Sequence, residues 1–101
     1  MKGARPEMKH FTVIVEGKGI ATTIGGEPAR VGFFTPRWVF AESASAAGAM
    51  AIQMVEAEEK YRRLISTTKI APILEAADIS ESDPATRSDM PPGYALYREG
   101  T

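Results

Sequence analysis

One imidazole, no thiol and no clustered carboxylates make up the reactive inventory of this 101-residue chain. His10 is the single histidine, and no residue at a recognisable spacing could orient it, so it reads as a surface or capping residue where a strand begins. Ser43, Ser45 and Ser66 stand outside any Gly-x-Ser-x-Gly elbow, the turn that lifts a nucleophilic serine clear of its strand. The absence of cysteine excludes thiolate catalysis, disulfides and cysteine–metal sites, and no His/Asp/Glu grouping takes their place. Glu58 and Glu59 are neighbours on a helical stretch, so their carboxylates diverge and cannot work as a general acid/base pair. Gly17-Lys18-Gly19 offers the small residues of an anion loop, but Thr22 stands where a third glycine would be needed. No Gly-Lys-Ser/Thr follows, and the next element is a strand, not the helix N-terminus that aims N–H groups at a phosphate. The expectation is a chain that is not an enzyme and uses neither cofactor nor metal.

Phe34, Trp38, Phe40 and Arg37 remain as candidates for contact with a partner or ligand. Strand alternation over Val31–Ala41 puts Phe33, Thr35, Arg37, Val39 and Ala41 on one side and Phe34, Pro36, Trp38 and Phe40 on the other. Both sides are apolar, whereas a strand wet on one face alternates apolar with polar. One side must meet a helix, and the other needs a second cover. Aromatic rows also serve as stacking platforms for single-stranded nucleic acid, but that mode interleaves cations, and only Arg30 and Arg37 are near. A second copy of the chain is the expected cover. Arg37 is expected in a structural salt bridge or facing solvent, ahead of a ligand contact. Pro36 cannot donate to a ladder, so it belongs at a bulge or an unpaired edge.

The elements that must position these residues follow from periodicity. His10–Glu16 alternates and is rich in β-branched residues, which marks a strand. Residues 17–30 read as a long hairpin connection with room for a short strand at Ile20–Ile24, and Gly25-Gly26 is a turn signal. After Glu42, Ser43 or Ser45 can cap a helix of about 20 residues. Its apolar stripe is Ala47, Met50, Ala51, Met54, Ala57, Tyr61, Leu64 and Ile65, with Val55 at the margin. Glu56–Lys60, Glu58–Arg62 and Glu59–Arg63 lie at i,i+4 and suit a solvated outer face. Lys69–Ile79 fits a short helix or a strand. Strand is preferred, with Pro72 near its start, because the long helix must hand the chain back to the sheet. Residues 80–92 read as a loop, and Gly93–Arg98 as a closing strand.

The fold class expected is α+β: an antiparallel sheet of about four strands with one long amphipathic helix on one face, in the order β-β-α-β-β. A chain of 101 residues reads as a single domain, with residues 1–9 as a flexible arm. Net charge is −1, from 12 basic and 13 acidic residues, so nothing favours a polyanion or an anionic membrane as partner. The N-terminal residues lack the apolar run of a signal peptide, and no segment approaches the roughly 18 apolar residues of a membrane span, so a soluble, cytoplasmic protein is expected.

The segment GFFTPRWVFAES, the amphipathic helix, the strand around Leu74-Glu75 and the closing GYALY resemble a small uncharacterised bacterial family of β-β-α-β-β proteins. That family carries a strand motif of Gly-Phe-aromatic-Thr-x-Arg, matched here from Gly32 to Arg37. It implies the fold and no activity. Pro36 stands where the pattern has a polar residue. A looser similarity is to HicB-type antitoxin domains, which order strand, strand and helix alike. This chain has the glycine turn of that group but lacks its DNA-binding tail. Three functions follow as expectations. The first is an interaction or structural module that forms a homodimer through the aromatic face. The second is a module for a small-molecule ligand held between that face and residues 17–30. The third is an antitoxin-like domain that binds RNA or a toxin, although nucleic acid is not the expected partner.

Overall fold

The computed structural model describes residues 7–66, 68, 71–82 and 93–99. Its elements are β1 (Lys9–Ile24), β2 (Glu27–Ala41), α1 (Ala44–Ala57), α2 (Glu59–Leu64), β3 (Ile73–Glu81) and β4 (Ala95–Arg98). All pairings are antiparallel, in the order β3-β1-β2-β4, and the helices pack on one face. This is the expected α+β architecture.

The stretch 17–30 departs from its expectation. β1 runs unbroken from Lys9 to Ile24 and pairs with β2 down to Ile24–Glu27, so the connection is only Gly25-Gly26. Both glycines sit at positive φ, 59° and 84°, which suits a two-residue hairpin whose twist matches its strands. Gly19, at φ 88°, lies in a register irregularity between Gly17 and Ile20. The irregularity resets the alternation: Phe11, Val13 and Val15 face the helices before it, and Ile20 faces them after it. The glycines therefore mark a bulge within a strand, not its end.

The single long helix is also corrected. Ser43 caps α1 by accepting from the Ala46 N–H at 3.1 Å, but the helix stops at Ala57. Glu58 is extended, with φ −78° and ψ 137°, and α2 resumes at Glu59. The buried helix side is Ala47, Gly48, Ala51, Val55 and Tyr61. Met50, Met54 and Ala57, expected in the stripe, are exposed. The smallest side chains face the sheet because they allow the closest approach. A Cβ on Gly48 would lie 3.0 Å from Ile79 Cδ1 and 3.3 Å from Ala76 Cβ. Of the three i,i+4 pairs only Glu59–Arg63 forms among the described residues, at 2.8 Å and exposed.

The core is one cluster. Phe11, Val13, Val15 and Ile20 come from β1, and Val31, Phe33, Val39 and Ala41 from β2. Ala47, Ala51, Val55 and Tyr61 close it from the helices. Burying each large apolar side chain here contributes about 1.5–3 kcal/mol. Leu74, Ala76 and Ile79 of β3 extend the cluster, which settles Ile73–Glu81 as strand, with Pro72 just before it. Lys69, Ile70 and most of the expected 80–92 loop lie outside the described residues; Ser80 and Glu81 belong to β3. Of the expected arm, Lys9 belongs to β1, and residues 1–6 lie outside the described ones. The closing strand is shorter than expected, Ala95–Arg98. Among the described residues no helix is long and apolar enough to cross a membrane.

Candidate interaction surface

The four singled-out residues of β2 fall on opposite faces. Arg37 lies under the helices and is 2% exposed. A buried guanidinium needs a carboxylate and partners for five N–H donors. All five are used. Nε donates to Glu58 Oε2 at 3.0 Å, and one Nη2 hydrogen goes to Glu58 Oε1. The other Nη2 donation reaches the Tyr94 hydroxyl at 3.2 Å. Nη1 donates to Thr35 Oγ1 and to the Pro36 carbonyl, each at 2.6 Å. The Tyr94 hydroxyl in turn donates to Glu58 Oε1 at 2.5 Å, and Thr35 Oγ1 donates to the Gly93 carbonyl at 2.7 Å.

This knot lies at the helix break. Glu58 sits at the junction of α1 and α2, and its carboxylate is turned in to Arg37 rather than along the helix to Arg62. It also anchors the residues that lead into β4. Tyr94 packs edge-on against Phe33 at 5.0 Å, with the Arg37 guanidinium and the Lys60 ammonium each 5.4 Å from its ring centroid. Burial, and then the hydrogen bond to Glu58, push the Tyr94 phenol far above its ordinary value. Among the described residues no buried side-chain polar atom lacks a partner. The guanidinium has no donor left for a ligand, so its chemistry is structural. Sequence reading placed Glu58 on the solvated face and gave Tyr94 no role. The signal was the lone arginine in the buried row of a strand, which demands a carboxylate from the covering element.

Phe34, Trp38 and Phe40 share the opposite face with Pro36, away from α1 and α2. Phe34 is 40% exposed and Phe40 48%, while Trp38 and Pro36 are half-buried. Across the β1–β2 ladder, His10 registers with Phe40, Thr12 with Trp38, Ile14 with Pro36 and Glu16 with Phe34. His10 lies on the Phe40 ring at 4.6 Å between centroids, and Tyr97 stacks on Phe34 at 5.2 Å. Tyr97 reaches across β2 to donate to Glu16 Oε2 at 2.5 Å. That hydrogen bond, with a smaller contribution from burial, pushes the Tyr97 phenol up to about 12. Its path runs over Gly32, where any Cβ would collide with the ring. Pro36 lies past the end of the β2–β4 ladder, whose last pair is Phe34–Ala95. It fits the unpaired-edge position and blunts that edge.

Two depressions border this face. One, of about 400 Å³, lies among Ile14, Phe34, Pro36 and Tyr94. The other, of about 970 Å³, runs along the turn end of the β1–β2 hairpin beside Lys18, Arg30, Ile73, Arg98 and Glu99. Its charges are mixed, and the Glu99 carboxylate accepts from the Gly19 N–H at 2.9 Å. Lys18 is shared between Glu75 at 3.4 Å and Glu16 at 4.0 Å. Among the described residues no group of three or more His, Cys, Asp or Glu side chains could hold a metal ion. No family model, curated protein or solved structure matches the chain.

Proposed function

We propose that the chain is a non-catalytic interaction module that self-associates through the open sheet face bearing Phe34, Trp38 and Phe40. The observation that carries this reading is the exposure of Phe34 and Phe40, at 40% and 48%, on the same face as Trp38 and Pro36. A contiguous apolar patch of this kind marks a contact surface. The cations that a nucleic acid would require are missing from its centre, because Arg37 is turned to the other face and fully bonded. The sheet surface suits another flat protein surface better than a small molecule, which prefers a concave site. Net charge near zero removes the repulsion that keeps copies apart. The resemblance to the small bacterial family adds fold alone, and the cytoplasm is the compartment we assign.

Sedimentation velocity tests the reading. The protein is expected to sediment as a dimer, Trp38→Ser as a folded monomer, and the emission of Trp38 to shift to shorter wavelength as concentration rises. A wild-type chain that stays monomeric at the highest soluble concentration would refute it. The groove of about 970 Å³ favours a second reading, a small ligand beside Lys18 and Arg30. A metabolite screen by thermal shift tests it, since a ligand bound only by the folded state raises Tm. The HicB-type similarity predicts RNA binding that weakens with salt, and a filter-binding titration without that dependence would remove it.

A further inference from the structure

We infer that the two copies pack with their strands antiparallel, about a two-fold axis that lies between the sheets, crosses the strands, and passes at the level of Val13 and Arg37. The inference rests on the self-association proposed above and names its geometry. In a two-fold interface each contact occurs twice, so the side chains along one face must complement their own reversed order. Along the open face β1 presents His10, Thr12, Ile14 and Glu16, and β2 presents Phe40, Trp38, Pro36 and Phe34 beside them. Reversal about the Val13 level lays β2 on the partner's β2. Phe34 then meets the partner's Phe40, and Pro36 meets the partner's Trp38.

Charge complementarity favours the same arrangement. Glu16 faces the partner's His10, a nitrogen donor for a carboxylate. Asp78 registers with Ile14 and Ser80 with Thr12, so Asp78 falls opposite the partner's Ser80. Glu75 registers with Glu16, and the Ser82 N–H binds the His10 carbonyl, so Glu75 falls opposite the partner's Ser82. Among the described residues no open-face acid meets another. An axis running along the strands does worse. Placed over β1, it sets Glu16 against the partner's Glu16 and lays the aromatic row on Glu75 and Asp78, which costs desolvation and repulsion. Placed over β2, it sets β1 against β4, a strand of only 4 residues that leaves His10 to Ile14 uncovered.

Because the chain has no cysteine, one nitroxide can be attached at Thr23→Cys, an exposed position near the hairpin tip. Thr23 lies ten residues from the Val13 level. At about 3.3 Å per residue, antiparallel copies hold their labels roughly 65 Å apart, whereas copies running the same way, with sheets about 10 Å apart, hold them within roughly 25 Å. Pulsed electron spin resonance on the full chain is expected to give the long distance. A short distance overturns the antiparallel geometry while leaving self-association standing. The absence of dipolar coupling overturns self-association itself, and the geometry with it. A charge test runs in parallel: His10→Glu is expected to weaken the dimer about tenfold, while His10→Lys preserves it. Equal effects of the two substitutions overturn the placement of the partner's Glu16.

Discussion

The two faces of β2 invert the simplest rule of burial. Phe33, Thr35, Arg37, Val39 and Ala41 are buried, although they include the Arg37 guanidinium. Phe34, Pro36, Trp38 and Phe40 form the more aromatic face, and it is the one left open. The covering helices decide between them. α1 offers Ala47, Gly48 and Ala51, which bring its backbone close to the sheet, and the α1–α2 junction offers Glu58. That combination suits a row with one large ring, a threonine and an arginine. The closed face is thus specified by polar satisfaction and small-residue packing. The open face keeps hydrophobic surface, at Phe34 and Phe40, that the other described residues leave exposed.

The largest test of this contrast compares adjacent residues. Phe33→Ala removes a fully buried ring and is expected to cost about 3–5 kcal/mol in urea denaturation. Phe34→Ala, measured at concentrations where the chain is monomeric, is expected to cost about 1 kcal/mol, chiefly its stacking on Tyr97. In sedimentation the order reverses, and Phe34→Ala weakens self-association. Equal stability losses at the two positions would show that the faces are not energetically distinct.

The second test addresses the charge on the closed face. Glu58→Ala leaves Arg37 buried without a counter-ion and is expected to cost about 3 kcal/mol. That is the low end for a broken buried pair, because the Glu58 side chain is 34% exposed. Arg37→Met is expected to cost less, since water can reach the abandoned carboxylate. If Arg37→Met proves the more damaging, the knot acts through packing of the arginine stem instead of charge.

Alternation made both rows of β2 legible, because a period of two needs no knowledge of the partner element. The core strands, the glycine turn, the serine cap and the return strand were legible for similar local reasons. What was not legible depended on tertiary contacts. Nothing in the helix sequence marks a break at Glu58, where neither proline nor glycine stands. At the break the Glu58 carboxylate turns in to Arg37, 21 residues earlier in the chain. Met50 and Met54 were placed in the stripe by hydrophobicity, whereas close packing selected Gly48 and Val55. Gly17 and Gly19 read as the end of a strand, because a bulge and a loop use the same residue. Nothing local marks the role of Tyr97 in the closing strand, since its partner Glu16 lies 81 residues away.

A third test moves to the open face. Gly32→Ala puts a Cβ into the Tyr97 ring and 2.8 Å from the Gly17 carbonyl oxygen. An overpacking cost of about 1–3 kcal/mol is expected, with β4 amides losing hydrogen-exchange protection first. If the cost appears without loss of protection in β4, Tyr97 does not tie that strand to the sheet.

The smallest effect isolates the Tyr97–Glu16 bond. The folded chain holds the Tyr97 proton more tightly than the unfolded chain, with its value pushed from 10.0 up to about 12. A group whose folded value is raised contributes stability that is present in full below the unfolded value and lost as pH rises through the folded one. The contribution of Tyr97 is therefore intact at neutral pH and fades between pH 10 and about 12. Tyr94 and Tyr61 are raised in the same direction, so a fall in wild-type stability over that window would not by itself identify the residue. The difference between wild type and Tyr97→Phe does identify it. Thermal unfolding is expected to show wild type the more stable at neutral pH, with the gap closing as pH climbs toward 12. A gap that stays constant over that range would mean that Glu16 gains nothing from the Tyr97 proton, and that Tyr97 holds the open face only by stacking on Phe34.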